Sequence, residues 1–398
     1  SFYMQLPDYH GGSIVNLMSS IAHALGGKHA YAELRVLPAK EIKKSKKVVL
    51  LAIDGMGYEF LRKNCKETVF EGLLKEKITS IFPSTTAAAI TAFLSGVPAQ
   101  QHALTGWFVF LKEIGIVSKV LPFEPRIGKT KLSEFGVKAE DVLDFTPFSK
   151  TIKAESVFVS PKKFKESEFN RFTNGSAKSI FYSSMGEMFK KLGKEVRKKS
   201  VKKKFIYAYW GNLDHLCHLH GTKSKKTIAH FKKIALETKK FLDSMRGTDS
   251  TIIITADHGL IDGKTIWLEK YPELQETLVL PLCGDARIKY AYVKQEKRRE
   301  FEKIVRTRLS EYCQLFKSSE LVKKNYFGLF KPHKKLFDRI GDYTLITKKN
   351  FALRDVLPGE PRKNHIGNHA GLSKEEMFVP LIVVQNTENS KKAVWQNV

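Results

Sequence analysis

Apolar residues along this chain follow two rhythms. Five short runs are almost continuously apolar and rich in β-branched or aromatic residues, at 48–53, 78–82, 205–210, 251–255 and 379–384. Runs of this length predict strands buried on both faces, as in a parallel sheet. Between them the period lengthens. Ile14, Leu17, Met18, Ile21 and Leu25 recur at helical spacing and stop at Gly26-Gly27, which predicts a helix over 13–25 with a glycine cap. The Ala-rich stretch 87–94, closed by Gly96 and Pro98, predicts a second helix, and 225–245 a third. Strands alternating with helices predict an α/β fold around a mostly parallel central sheet.

Two stretches break the rhythm. Residues 122–200 are rich in Lys, Ser, Phe and Pro with weak periodicity. Residues 287–362 mix a strand-like 289–293, a charged helix over 298–315 and a strand-like 342–346. Both are expected to be insertions that cap the active-site edge of one domain spanning 1–398. The lysine run between Lys190 and Lys204 reads as an exposed helix end leading into a strand.

Composition narrows the class. With 42% hydrophobic and 11% aromatic residues over 398 positions, the chain is globular and can bury a large core. Its longest apolar runs fit strands, so no membrane span is expected. The start, Ser1 to Gln5, shows no basic segment leading into an apolar one, and Cys65, Cys217, Cys283 and Cys313 are scattered. A reducing, cytoplasmic setting is the expectation. Lys and Arg number 68 against 41 Asp and Glu, a net charge of +27 that suits a small anionic partner such as a phosphate ester. No aromatic residues interleave the lysine run, so nucleic acid is not expected.

The chemistry-bearing residues fall where the strands end. The first strand runs into Asp54-Gly55-Met56-Gly57, and the fourth into Ala256-Asp257-His258-Gly259. In open α/β sheets, ligands bind beyond the carboxyl ends of such strands. Adjacent Asp257 and His258 at the end of a buried strand suit metal ligation better than packing. Asp214 and His218 stand four apart, which on a helix puts both on one face able to grip one ion. His215, His220 and Cys217 flank them as polar or packing residues. His369 lies between Gly367 and Gly371, with His365 as a competing donor. Three hydroxyls, Ser84, Thr85 and Thr86, open the Ala-rich helix, where free backbone N–H groups favour a phosphoryl anion. Capping alone would explain one of them, and spacing does not choose among the three.

In this order, Ile53-Asp54-Gly55, Phe82-Pro83-Ser84-Thr85-Thr86, Asp214 with His218, Ala256-Asp257-His258-Gly259 and the late Gly-x-His resemble the alkaline phosphatase superfamily. Within it the chain is similar to the type I phosphodiesterase/nucleotide pyrophosphatase branch, over about 45–110, 204–285 and 364–385. The resemblance implies a three-layer sandwich and a pair of divalent ions, zinc or else manganese. Asp54, Asp257 and His258 would hold one ion together with the nucleophile, and Asp214, His218 and His369 the other. Counting back ten residues from Gly96, as the family pattern does, gives Thr86 as the nucleophile, which would pass through a phosphothreonine. The chain departs from the pattern at two places. The position of a phosphoryl-holding asparagine is Trp107, and the aromatic residue that follows the nucleophile is Ala87. Thr105 and Trp107 are the candidates for substrate contact. A phosphodiesterase acting on a small phosphate ester, such as that of a nucleotide, is implied. A phosphomonoesterase, a phosphomutase or a non-catalytic basic binding protein are the other readings.

Overall fold

A computed structural model describes residues 3–387; Ser1 and Phe2, part of the terminal reading, and 388–398 lie outside it. The centre is a seven-stranded sheet. Its strands in chain order are β1 (Lys47–Ile53), β2 (Glu76–Thr79), β3 (Glu155–Pro161), β4 (Lys178–Tyr182), β5 (Lys204–Trp210), β6 (Ser250–Thr255) and β7 (Phe378–Asn386). They lie in the order β2-β7-β6-β1-β5-β3-β4, with β7 antiparallel to both its neighbours and the pairs from β6 to β4 parallel. Every residue of β1 and β6 is buried, because helices cover both faces of the sheet. The fold is therefore an α/β three-layer sandwich around a mostly parallel sheet.

Helix α1 (Ile14–Ala24) packs on α2 (Thr86–Ser95), whereas α3 (Met185–Arg197) packs on the long helix α5 (Lys225–Ser244). Between β5 and α5 lies the short α4 (Asn212–His220). Ser13 caps α1 through a reciprocal bond with Asn16, and Gly96 ends α2 in the left-handed region.

A second seven-stranded sheet, antiparallel throughout, stands beside the first. It draws Phe108–Leu111 and Ile116–Lys119 from the segment after α2, and Ile288–Ala291, Cys313–Lys317 and Tyr343–Thr347 from the region expected to be a cap. The largest hydrophobic cluster surrounds the central sheet and takes in Val109 and Leu111 of the second, and two smaller clusters pack on the remaining strands of the second sheet.

The structure differs from the sequence reading at four places. Within 122–200, β3, β4 and α3 extend the central sheet and its helical layer rather than standing apart as a cap. The second strand ends at Thr79, not at Phe82, because its pairing with β7 stops at Phe378, where β7 begins. The charged helix stops at Arg308, and 313–317 pair with Tyr343–Thr347 instead. The lysine run is exposed at Lys198 and Lys199, but Lys204 is buried in an ion pair with Glu195 at 2.9 Å. The four cysteines are all free, and among the described residues no helix is long and apolar enough to cross a membrane.

The two sheets are locked by one buried ion pair. Arg287, one residue before the strand Ile288–Ala291, donates from Nε to Glu376 Oε1 at 2.5 Å and from its other nitrogens to the carbonyls of Phe351 and Lys349. Glu376 also accepts from the backbone N–H groups of Gly371 and Ser373. Removing one member leaves the other charged and dry, which costs about 3–5 kcal/mol. Glu376→Ala is therefore expected to lower the urea-unfolding free energy by about that amount. A loss under about 1 kcal/mol would show that the pair does not tie the sheets together.

Candidate active site

The register of the central strands assembles the site. Ile53 lies opposite Trp210 and Ala52 opposite Thr255, so β1, β5 and β6 end at one level. Asp54 N then bonds the Trp210 carbonyl, and Asp54, the first turn of α4 and Asp257-His258 emerge on the same edge. The tight turns need glycine. A side chain at Gly259 would collide with the Glu375 carbonyl, and a Cβ at Gly367 would lie 2.6 Å from the Cys217 carbonyl.

Two donor groups form there. Asp54, Asp257 and His258 offer ligand atoms within 4.8 Å of one another, and so do Asp214, His218 and His369. The groups adjoin. His258 Nε2 lies 3.2 Å from Asp54 Oδ1, 3.3 Å from Asp257 Oδ2 and 3.9 Å from Asp214 Oδ1. His369 stacks on His258 with centroids 3.7 Å apart, and its Nε2 is 3.8 Å from Asp214 Oδ1. Thr86 Oγ1 sits at the first residue of α2, 3.0 Å from His258 Nε2 and 3.3 Å from Asp54 Oδ2. Residues spread over three hundred positions of sequence thus meet around one hydroxyl.

Every imidazole is oriented alike. The Nδ1 of His218, His258 and His369 faces the carbonyls of Gly367, Gly259 and Ser84 at 2.8, 2.8 and 3.1 Å. A proton on Nδ1 satisfies those carbonyls and leaves the Nε2 lone pair facing inward, the arrangement that metal-binding histidines use. The carboxylates are set in the same way. Asp257 Oδ1 accepts from the N–H groups of Gly55 and His258, while Oδ2, facing His258 Nε2, has no hydrogen-bond partner. Asp214 Oδ1 is also buried without a partner. Buried carboxylate oxygens without donors are costly unless a cation faces them. The donor set, three carboxylates and three inward imidazole nitrogens, fits two divalent ions.

The protons of this cage are redistributed by its own charges. Burial opposes a proton on His258, but Asp257 and Asp54 outweigh it and push the imidazole up to about 10. His218 is raised in the same way by Asp214 against burial. Asp214, despite burial, is held well below the usual carboxylate range by His218. Burial and the neighbouring Asp54 drive Asp257 upward, whereas burial and His258 drive His369 well below its ordinary value.

The remaining candidates separate. Ser84 is buried, with its hydroxyl donated to the Gly371 carbonyl and its backbone paired with Ala370. Ala370 itself is held at φ +97°, a strained conformation beside His369. Thr85 is the N-cap position of α2, and its hydroxyl turns to Asp285. Thr105 is a correction: it is wholly buried and donates to the Arg339 carbonyl at 2.8 Å, so it does not reach the cleft. Trp107 does line the cleft. His215 is exposed on the cleft wall, Cys217 is buried in the core, and His365 stacks on His218 at 4.6 Å.

Two contributors escaped the sequence reading. Tyr209 hydrogen-bonds Asp54 Oδ2 from β5, where it reads as an ordinary strand aromatic. Asp285, half-buried in the cleft wall, accepts from the Trp107 N–H at 3.1 Å and is raised by desolvation. A lone acid in a turn gives no periodic signal. The cleft over these residues has a volume of about 1180 Å³, with the second sheet and the segment around 121–131 among its walls.

Comparison with known proteins bears on the fold and the family. The murine ectonucleotide pyrophosphatase/phosphodiesterase 5, in an inactive form complexed with AMP, superposes with a TM-score of 0.65 at 14% identity, covering 86% of this chain and 88% of that one. The human protein of the same name gives 0.64 at 14%, covering 85% and 87%. At such identity the likeness speaks for the fold. No curated protein sequence matches the chain. The family model for type I phosphodiesterase/nucleotide pyrophosphatase matches residues 48–370, from the first core strand to the histidine turn, and the chain belongs to that family.

Proposed function

We propose that this protein is a metal-dependent hydrolase of phosphate esters, a phosphodiesterase that acts through a phosphothreonine on Thr86. The observation that carries the reading is the inward-facing cage around the Thr86 hydroxyl, with two unpartnered carboxylate oxygens in it. Asp54, Asp257 and His258, with Thr86, would hold one divalent ion, and Asp214, His218 and His369 a second, zinc or manganese by donor chemistry. Bound there, such a pair supplies charge neutralisation for an in-line displacement and lowers the pKa of a coordinated hydroxyl or water.

The chain's own groups do the rest. Thr86 stands at the N-terminus of α2, whose open N–H groups and dipole favour the anionic phosphoryl oxygens. Its Oγ1 would attack phosphorus, forming a P–O bond as the hydroxyl proton passes to solvent and the ester oxygen leaves with its electron pair. Water then cleaves the phosphothreonine. Tyr209 and the two backbone donors on Asp257 hold the carboxylates rigid, so little reorganisation accompanies the reaction. Trp107 offers an aromatic face at the cleft wall. The murine relative with AMP bound supports a nucleotide ester as substrate.

Four measurements test the reading. Thr86→Ala is expected to lower kcat by at least about 10⁴-fold while bound metal, counted by elemental analysis, stays near two per chain. Loss of activity from Thr85→Ala alone would move the nucleophile one residue. Chelation is expected to abolish turnover, with Zn²⁺ or Mn²⁺ restoring it. Because ions must displace the protons that the carboxylates hold on His258 and His218, metal affinity should rise with pH across the neutral range. A pH-independent affinity would count against those ligands. Finally, a chromogenic phosphodiester should turn over faster than the matching monoester on metal-replete protein. The reverse preference would make the enzyme a phosphomonoesterase.

A further inference from the structure

The edge of the central sheet opposite the cage joins the end of the lysine run to lysines from another loop. β1, β5, β6 and β3 begin there at one level, since Lys47 lies opposite both Lys204 and Ser250, and Glu155 opposite Lys204. The loops that lead into these strands are bonded into one rim. Lys203 Nζ donates to the Lys43 carbonyl at 3.0 Å. The backbone N–H groups of Lys204, Glu155 and Lys47 donate to the carbonyls of Lys46, Lys203 and Asp249. The seven residues of β1, at about 3.3 Å each, set this rim roughly 20 Å from Asp54, so the cleft opens on the other side of the molecule.

Structural needs account for only part of this charge. Glu195 pairs with Lys198 at 2.6 Å and with Lys204 at 2.9 Å, Glu41 pairs with Lys44, and Lys47 donates to the Val196 carbonyl. The carboxyl end of α3, with its partial negative charge, also favours cations here. Among the described residues no carboxylate pairs with Lys43, Lys46, Lys199 or Lys202. Burial and Lys204 lower Lys47 from its ordinary value, and burial and Lys43 lower Lys203, so the ammonium groups press on one another. At the crest stands Val201, 98% exposed and the most exposed large apolar residue described. It lies between exposed Lys199 and Lys202, in a turn closed by the Ser200 hydroxyl on the Lys202 carbonyl at 2.8 Å. Folding gains nothing from an apolar side chain held in water at the tip of a basic turn.

We propose that this rim is a docking surface for an anionic lipid bilayer, with Lys43, Lys46, Lys199 and Lys202 against the headgroups and Val201 in the interface. Two observations choose a bilayer over a nucleic-acid strand. The rim loops 43–46, 198–203 and 246–249 contain no aromatic residue on which a base could stack. An apolar tip flanked by lysines gains on entering the interface while the ammonium groups stay at headgroup level, and a polynucleotide offers that tip nothing. Docked in this way, the molecule turns its cleft toward solution. None of these residues belongs to the cage, so docking stands or falls apart from the hydrolase reading.

Sedimentation of the full chain with lipid vesicles tests the surface. Binding is expected to vesicles of phosphatidylcholine and phosphatidylserine in equal parts, not to phosphatidylcholine alone, and to weaken as salt rises. Each lysine at such a surface contributes about a fivefold factor in affinity, so Lys199→Gln combined with Lys202→Gln should weaken binding about 25-fold. Both side chains are exposed and unpaired, so thermal unfolding of the double variant should match wild type. Val201→Trp should bind more tightly, and its fluorescence should be quenched by brominated acyl chains beyond any quenching of wild type. Equal affinity for neutral and anionic vesicles, no loss in the double variant, or an indole at position 201 that brominated chains leave unquenched would overturn the proposal. A polynucleotide that binds more tightly than the vesicles at equal salt, with the same loss in the double variant, would assign the rim to nucleic acid and overturn it as well.

Discussion

The structure turns on carboxylates held away from water without enough donors. Asp54 and Asp257 are 2% and 0% exposed, and Asp214 sits 3.9 Å from the same imidazole that touches both. Three acids this close repel one another in a medium that screens poorly. Histidine protons offset part of that repulsion, yet Asp214 Oδ1 and Asp257 Oδ2 still lack partners. Such an arrangement survives only if the rest of the molecule over-determines it. It does so here: β1, β5 and β6 are fully or largely buried, their register is fixed along their whole length, and each imidazole is tied back to a carbonyl. Under the proposed reading, cations entering the cage would offset that cost, which would couple metal binding to stability.

How much of this was legible in the sequence depended on how local each signal was. Asp54 and Asp257-His258 follow directly from strands whose apolar runs announce them, and Asp214 with His218 from helical spacing after another strand. His369 was visible only as a glycine-bracketed residue. Its place comes from the Ser84–Ala370 bridge and the Arg287–Glu376 pair, both of which join segments far apart in sequence. Strands β3 and β4 were missed for a physical reason. They lie toward one edge of the sheet, and β4 is buried at Tyr182 alone, so its Lys178-Ser179 start carries no continuous apolar run. Thr105 was misplaced because position in a loop says nothing about which way a hydroxyl points. Arg339, over two hundred residues away, claims it.

The two sheets divide the work between rigidity and recognition. The parallel sheet delivers the reactive groups from strand ends, where neither backbone nor rotamer has room to move. The antiparallel sheet, built from segments on either side of the core sequence, forms much of the opposing wall. Such walls can change without disturbing the cage, which is how one fold carries different substrate preferences.

The same division bears on the charge of +27. Most of that excess sits on exposed lysines, where water and salt screen it within about 10 Å and it distinguishes poorly among anions. Attraction of that kind raises encounter rates for any polyanion. Selectivity needs charges that water cannot reach, because only there does an unmade contact carry its full penalty. Lys289, 3% exposed on the cleft wall, is a cation of that kind. The composition therefore suits an anionic partner, while discrimination among anions has to come from the few charged groups of the cleft wall that water reaches least.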